Sequence, residues 1–180
     1  MMMFYVCSAN DEGDYYSETK YGIVMKKKMT KINFFYHYVS GGENPNVVRI
    51  AQANATRNES NPFPPFGDLN AINNALRVGI EPNSRIIGRA KGLEVEASQG
   101  NEMPTAVVYL DFGFTTGELN GSSFVICSRD LYLEPIHELA VVGGRGNFRM
   151  AEGFAKVELI FFNPTDGYGV DKYCVNLYHH

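Results

Sequence analysis

The chain has no tryptophan, only three cysteines among 180 residues, and no excess of basic charge. Each shortage removes a class of protein. A formal net charge of -4 argues against a nucleic-acid binder, which needs a basic surface. Cys7, Cys127 and Cys174 have neither zinc nor redox spacing, and their odd number leaves at least one unpaired within the chain. Cys127 and Cys174 sit in alternating apolar stretches, so both are expected as buried free thiols. No uninterrupted apolar run is long enough for a membrane-spanning helix, so a soluble chain with no membrane partner is expected. His179 and His180 are terminal with no third ligand nearby, and no nucleophile elbow or cofactor loop occurs, so neither metal nor cofactor is expected.

What is present is aromatic and β-forming. Eleven tyrosines and twelve phenylalanines supply the mass of a core or an apolar pocket. Short runs rich in Val, Ile, Phe and Tyr alternate with period two at 31–39, 46–54, 93–98, 105–114, 122–129, 154–162 and 170–178. "FGDLNAINNAL" reads as a further strand. Turn chemistry such as "SGGENPN", "TTGELNG" and "NPTDGYG" separates the runs. Many short strands with hairpin-length loops predict an all-β antiparallel sandwich or barrel, and a barrel leaves no free edge. Residues 1–28 read as an N-terminal tail and 29–180 as one domain. The opening "MMMFYVCSAN" resembles the end of a secretory signal, although it is short and lacks a basic start. Sequons at Asn54, Asn58 and Asn120 favour a secreted glycoprotein.

The stretch "VVGGRGNF" has the glycines of a phosphate-binding loop but not its context. Such a loop needs a helix after it, whose N-terminus holds the anion. Here "FRMAEGFAKVELIFF" continues in period two. Gly143, Gly144 and Gly146 are therefore expected to supply positive φ in a tight turn or bulge.

The same region carries a resemblance. "LYLEPIHELAVVGGRGNFRMAEGFA" is similar to the pattern L-E-P-x-R-E-L-x-V-V-G-G-x-G-x-F-R-x-A-x-G of the plant dirigent proteins. "PNSRIIGRAKGLEVEAS" resembles their P-x-S-x-x-x-G-R-A-Q-G-x-Y segment, and "DFGFTTGELNGSSF" their F-x-F-x-x-G-x-Y-N-G-S segment. "FYHYVSGGENPNVVRIAQA" resembles their first hairpin and "YCVNLYH" their last strand. The five motifs run in order across residues 31–178.

The resemblance implies an eight-stranded antiparallel β-barrel, of the shape shared with allene oxide cyclase, in a secreted, apoplastic homodimer or homotrimer. It also implies a phenolic ligand. In one reading the barrel binds phenoxy radicals of monolignols such as coniferyl alcohol, made by a separate oxidase (laccase or peroxidase). It then directs their stereoselective coupling to lignans without itself being an enzyme. In a second it is a dehydratase or cyclase acting on a phenolic or isoflavonoid through a quinone methide. In a third it is a catalytically silent phenolic binder in defence or the cell wall. The family's Asp or Asn before "LEP" and the Arg seven residues later correspond to Asp130 and His137, the candidate catalytic pair. Arg is always charged, whereas His titrates near neutral pH. Tyr36, His37, Asn73, Asp111 and Phe112 are candidate substrate-binding residues. His37 also reads as a hydrogen-bonded core histidine, and Asp111 as a solvent or subunit contact. The family's Asp after His37 is missing, and its "DDPL" reads "NNAL" through Asn73 and Asn74. Three acids are thus lost, which favours a binding role or a changed substrate over acid-catalysed cyclisation.

Overall fold

The computed structural model describes residues 26–52, 63–100 and 102–180. Nine strands form one antiparallel sheet: β1 (Lys28–Val39), β2 (Val47–Ala51), β3 (Leu69–Arg77), β4 (Ile86–Glu96), β5 (Ala106–Phe114), β6 (Ser123–Asp130), β7 (Ile136–Arg145), β8 (Glu152–Asn163) and β9 (Tyr168–His179). Eight of them close a barrel in the order β1-β9-β8-β7-β6-β5-β4-β3, because β1 also pairs with β3 through Phe35↔Arg77, Tyr36↔Leu76 and His37↔Ala75. Once β1 ends, β2 takes its place beside the first half of β3, from Val47↔Ile72 to Ala51↔Leu69. The expectation of a closed eight-stranded barrel holds. No helix among the described residues is long and apolar enough to cross a membrane.

Alternation decides what faces inward. On β5, Ala106, Val108, Leu110, Phe112 and Phe114 are buried while the residues between them are not. One half of the barrel is filled by phenylalanine. Phe112 stacks on Phe124 with ring centroids 4.8 Å apart, and Phe34, Phe114 and Phe148 lie within 6.5 Å of that pair's rings. On β4 the polarity inverts: Glu94 and Glu96 point inward, and Leu93 and Val95 are exposed beside Tyr109 and Val107 of β5.

Several expectations need correction. Strand β4 starts at Ile86, well before the expected Leu93. Its first half hides from a hydrophobic count because Arg89 and Lys91 alternate with small residues, and only glycine fits at two of these positions: a Cβ on Gly88 would sit 2.2 Å from the Gly113 carbonyl oxygen, and one on Gly92 1.8 Å from the Tyr109 carbonyl oxygen. The glycine-rich stretch is mostly strand β7, and of its three glycines only Gly146 has positive φ, +65°. Gly143 and Gly144 lie within β7, which bulges against β6 between Gly143 and Val141. Cys127 is exposed and Cys174 half-buried, since both fall on the outward parity of their strands; neither is in a disulfide. Cys7, Asn54, Asn58 and most of the expected N-terminal tail lie outside the described residues.

Candidate functional site

Opposite the phenylalanine-filled half, the barrel interior opens into a cavity of about 360 Å³. Its walls are aromatic and aliphatic: Tyr36 and Tyr38 from β1, Val108 and Leu110 from β5, Tyr173 from β9, and Tyr132 just after β6. Leu133, Leu159 and Phe162, all substantially exposed, line its edge. Phe112, a candidate ligand contact, is fully buried one layer below, its ring 5.4 Å from Tyr173 and 6.2 Å from Tyr36.

Three carboxyl groups converge on this cavity, Glu94 from β4, Asp130 from β6 and Asp171 from β9, with His137 from β7. Asp130 and His137 meet because β6 and β7 part company. Their ladder runs only from Ser123↔Arg145 to Ile126↔Val141, and beyond the bulge His137 Nδ1 bridges the seam to Asp130 Oδ1. The pair is mostly buried, with 9% and 15% of the two side chains exposed. Burial alone would lower the His137 imidazole, but the hydrogen bond and charge of Asp130 outweigh it, and the net direction is upward. His137 therefore stays cationic to a higher pH than a free histidine. A wider groove of about 690 Å³ lies around the same seam, lined by Arg129, Glu134, Glu138 and Glu152. It is open, its charges are mixed and solvated, and the inner cavity is the better ligand site because polar groups converge there between apolar walls.

Burial also shapes the other acids. It raises Asp171 to about 7, with Asp130 adding to the rise and His137 opposing it. Burial raises Glu94 as well, helped by the nearby Asp130 charge. Glu94 and Glu96 lie two residues apart on the inner face of β4, and burial together with the nearby Glu94 raises Glu96 to about 7. Glu96 is therefore still partly protonated near neutrality. Tyr132 donates to Glu96 Oε2 at 3.4 Å from the cavity side. Burial holds the hydroxyls of Tyr36, Tyr38, Tyr132 and Tyr173 above their ordinary range, so they are neutral donors.

The sequence candidates divide by strand parity. Asp130, His137 and Tyr36 line the cavity. His37 does not: it is buried on the other side of β1, where its Nε2 donates to the Gly79 carbonyl at 2.9 Å and its Nδ1 accepts from Tyr168 at 2.8 Å. Asn73 is exposed, and its neighbour Asn74 is the residue that faces in. Asn74 Nδ2 donates to the Tyr36 hydroxyl at 2.5 Å. Asp111 lies on the outer face opposite Lys91, so it replaces no lost acid. Asn120 is exposed in the turn before β6.

Glu94 and Asp171 escaped the sequence reading, which named Asn74 only as the site of a lost acid, yet signals for both acids existed. In "VDKYCVNLY" Asp171 shares parity with Tyr173, Val175 and Leu177, all buried. In the P-x-S-x-x-x-G-R-A-Q-G-x-Y segment, Glu94 occupies the tyrosine position. Among the described residues, no group of histidine, cysteine and acidic side chains is arranged to hold a metal.

Comparison with known proteins agrees with this architecture. Residues 29–178 match the family described as dirigent-like protein. Dirigent protein 15 of Arabidopsis thaliana is 40% identical over 168 residues, 92% of this chain and 88% of that one. Pterocarpan synthase 1 of Glycyrrhiza echinata is 34% identical over 156 residues, 86% of this chain and 80% of that one. A solved pterocarpan synthase dirigent protein superposes with a TM-score of 0.78 at 32% identity, covering 87% of this chain and 93% of that chain.

Proposed function

The chain belongs to the dirigent-like protein family, and from that premise we propose that its barrel binds one phenolic molecule and promotes acid-assisted loss of water through a quinone methide. The observation that carries this reading is the convergence of Glu94, Asp130 and Asp171 on an aromatic cavity of about 360 Å³. That volume lies near the small end of the ~300–1,000 Å³ typical of ligand sites, so it suits one ring system better than two coupling partners. Against the three acids that the sequence counted as lost, the cavity keeps Asp130 and adds two carboxyl groups, Glu94 and Asp171, on strands where none was expected.

The substrate class is a phenol with a hydroxyl on the benzylic carbon and a second hydroxyl within reach. The Asp130 carboxylate, steadied by His137, accepts the phenol proton. Asp171, still protonated below about 7, gives its proton to the benzylic hydroxyl. The carbon–oxygen bond breaks, water leaves, and the phenolate electron pair forms the quinone methide. The second hydroxyl then adds to the methide carbon while its proton passes to Asp171. The ring oxygen recovers its proton from Asp130. One water is lost overall and no oxidant is consumed. The cavity walls present one face of the methide to the second hydroxyl, and ~2–3 kcal/mol of differential placement suffices for a strong enantiomeric excess.

A second reading, stereoselective coupling of radicals supplied by a laccase or peroxidase, is favoured by the open apolar edge at Leu133, Leu159 and Phe162. A second ring can approach a bound phenoxy radical there. Two incubations separate the readings. The first uses a benzylic-alcohol isoflavonoid without oxidant, the second coniferyl alcohol with an oxidase, and both products go to chiral chromatography. Dehydrated product of one handedness in the first supports the proposal. No product there, with a non-racemic lignan in the second, transfers the function to radical guidance. The exposed strip of Leu93, Val95, Val107 and Tyr109 supports a homo-oligomer, and the family a secreted one; light scattering tests the oligomer.

A further inference from the structure

The cavity is rich in hydrogen-bond acceptors and poor in cations. Among the described residues, Glu94, Asp130 and Asp171 line it, no Lys or Arg does, and His137, the one basic residue there, is committed to Asp130. Asn74 adds an independent observation. Its side chain is fully buried and its Nδ2 is used by Tyr36, but its Oδ1 has no hydrogen-bond partner among the described residues. A buried acceptor without a donor costs about 1–3 kcal/mol, so a ligand that supplies the donor is favoured there. On β4, Glu94 has a carboxyl group, Glu96, beside it on the inner face where a cation would be expected. Among the described residues, the polar groups that interact with Glu94 are Glu96 on its own strand, Asn70 on β3, Asp130 on β6, Tyr132 beyond it, Tyr36 and Tyr38 on β1 and Tyr173 on β9, none of them a cation. Tyr36, Tyr38, Tyr132, Tyr173 and Phe162 supply aromatic rings around the same space.

A ligand that answers all of these features donates hydrogen bonds at two places and is positively charged at one. We propose that the cavity takes a phenol that also carries a protonated amine, its phenolic proton directed to Asp130, its second hydroxyl donated to Asn74 Oδ1 and its ammonium held by Glu94 among the aromatic rings. Ammonium groups are attracted both to carboxylates and to aromatic faces, and the attraction grows in a site shielded from water. Asp171 is contributed by β9, well separated from β4 in the barrel order, and stays free for the chemistry. This inference rests on the phenolic-cavity reading and adds the charge of the substrate to it.

Calorimetric titration of the full chain near neutral pH tests it with two probes of similar shape, 4-hydroxyphenethylamine and 4-hydroxyphenethyl alcohol. The amine is expected to bind about tenfold or more tightly than the alcohol, equivalent to about 1.4 kcal/mol. Glu94→Gln, close to isosteric, is expected to bring the two to parity while alcohol binding persists, which also reports that the variant is folded. Alcohol binding equal to or tighter than amine binding overturns the inference and leaves the phenolic reading intact. An amine advantage that survives in Glu94→Gln overturns the assignment to Glu94. No binding of either probe removes both this inference and the reading beneath it.

Discussion

The two halves of the barrel interior solve opposite problems with the same alternation. In one, Phe34, Phe112, Phe114, Phe124 and Phe148 fill the space between strands with stacked and edge-on rings. In the other, tyrosines replace phenylalanines and the inward positions of β4, β6 and β9 carry Glu94, Asp130 and Asp171. Tyr36 and Tyr173, with ring centroids 5.3 Å apart, stand at the boundary. The comparison teaches that closure and the acid-lined cavity are separated along the barrel. A dry aromatic plug holds the sheet shut, so the other half can carry buried acids that would destabilise an open fold.

Substitutions sharpen that contrast. Phe124→Ala, in the dry half, should cost about 3–5 kcal/mol of unfolding free energy by denaturant titration, since it removes a fully buried stacked ring. Asp171→Asn should act in the opposite direction. Folding raises this carboxyl from 3.8 to about 7, so the folded state holds its proton over that range and the ionised form opposes folding. The group therefore lowers stability as pH rises through that window, by at most about 4 kcal/mol above pH 7. The variant should be more stable than wild type in alkaline buffer and show a shallower decline in stability between those pH values. An unchanged pH dependence would mean that Asp171 is already well hydrated. Tyr36→Phe should cost about 1–2 kcal/mol, because Asn74 Nδ2 loses its acceptor inside the barrel. Asp111→Asn, on the outer face, should change stability by less than about 0.5 kcal/mol and leave turnover as it was.

The fold was largely legible because period-two alternation and turn residues mark strands directly, and most of the expected runs became strands. Strand β4 and strand β7 were obscured by glycines that pack against neighbouring backbone or border a bulge, features that carry no hydrophobic signal. The site was less legible because a one-residue change of parity moves a side chain through the wall. Asn73 and Asn74 are adjacent, and only the second faces the cavity. His37 sits one residue after Tyr36 on a strand buried on both faces at that point, so burial alone could not assign it a side. Glu94 and Glu96 invert the usual rule, with carboxyl groups inside and Leu93 and Val95 outside, and a reading that sends charges to solvent misses such a pair.

The most direct test of the acid-assisted account is the pH–rate profile for dehydration of a phenolic benzylic alcohol without oxidant, in wild type and in Asp171→Asn. The account predicts a wild-type rate that is full in mildly acidic buffer and falls as pH rises through about 7, because Asp171 must be protonated to release water. It predicts a variant about 10²–10⁴-fold slower that lacks this fall. A wild-type rate that stays level across neutrality, or an Asn variant as fast as wild type, would contradict it.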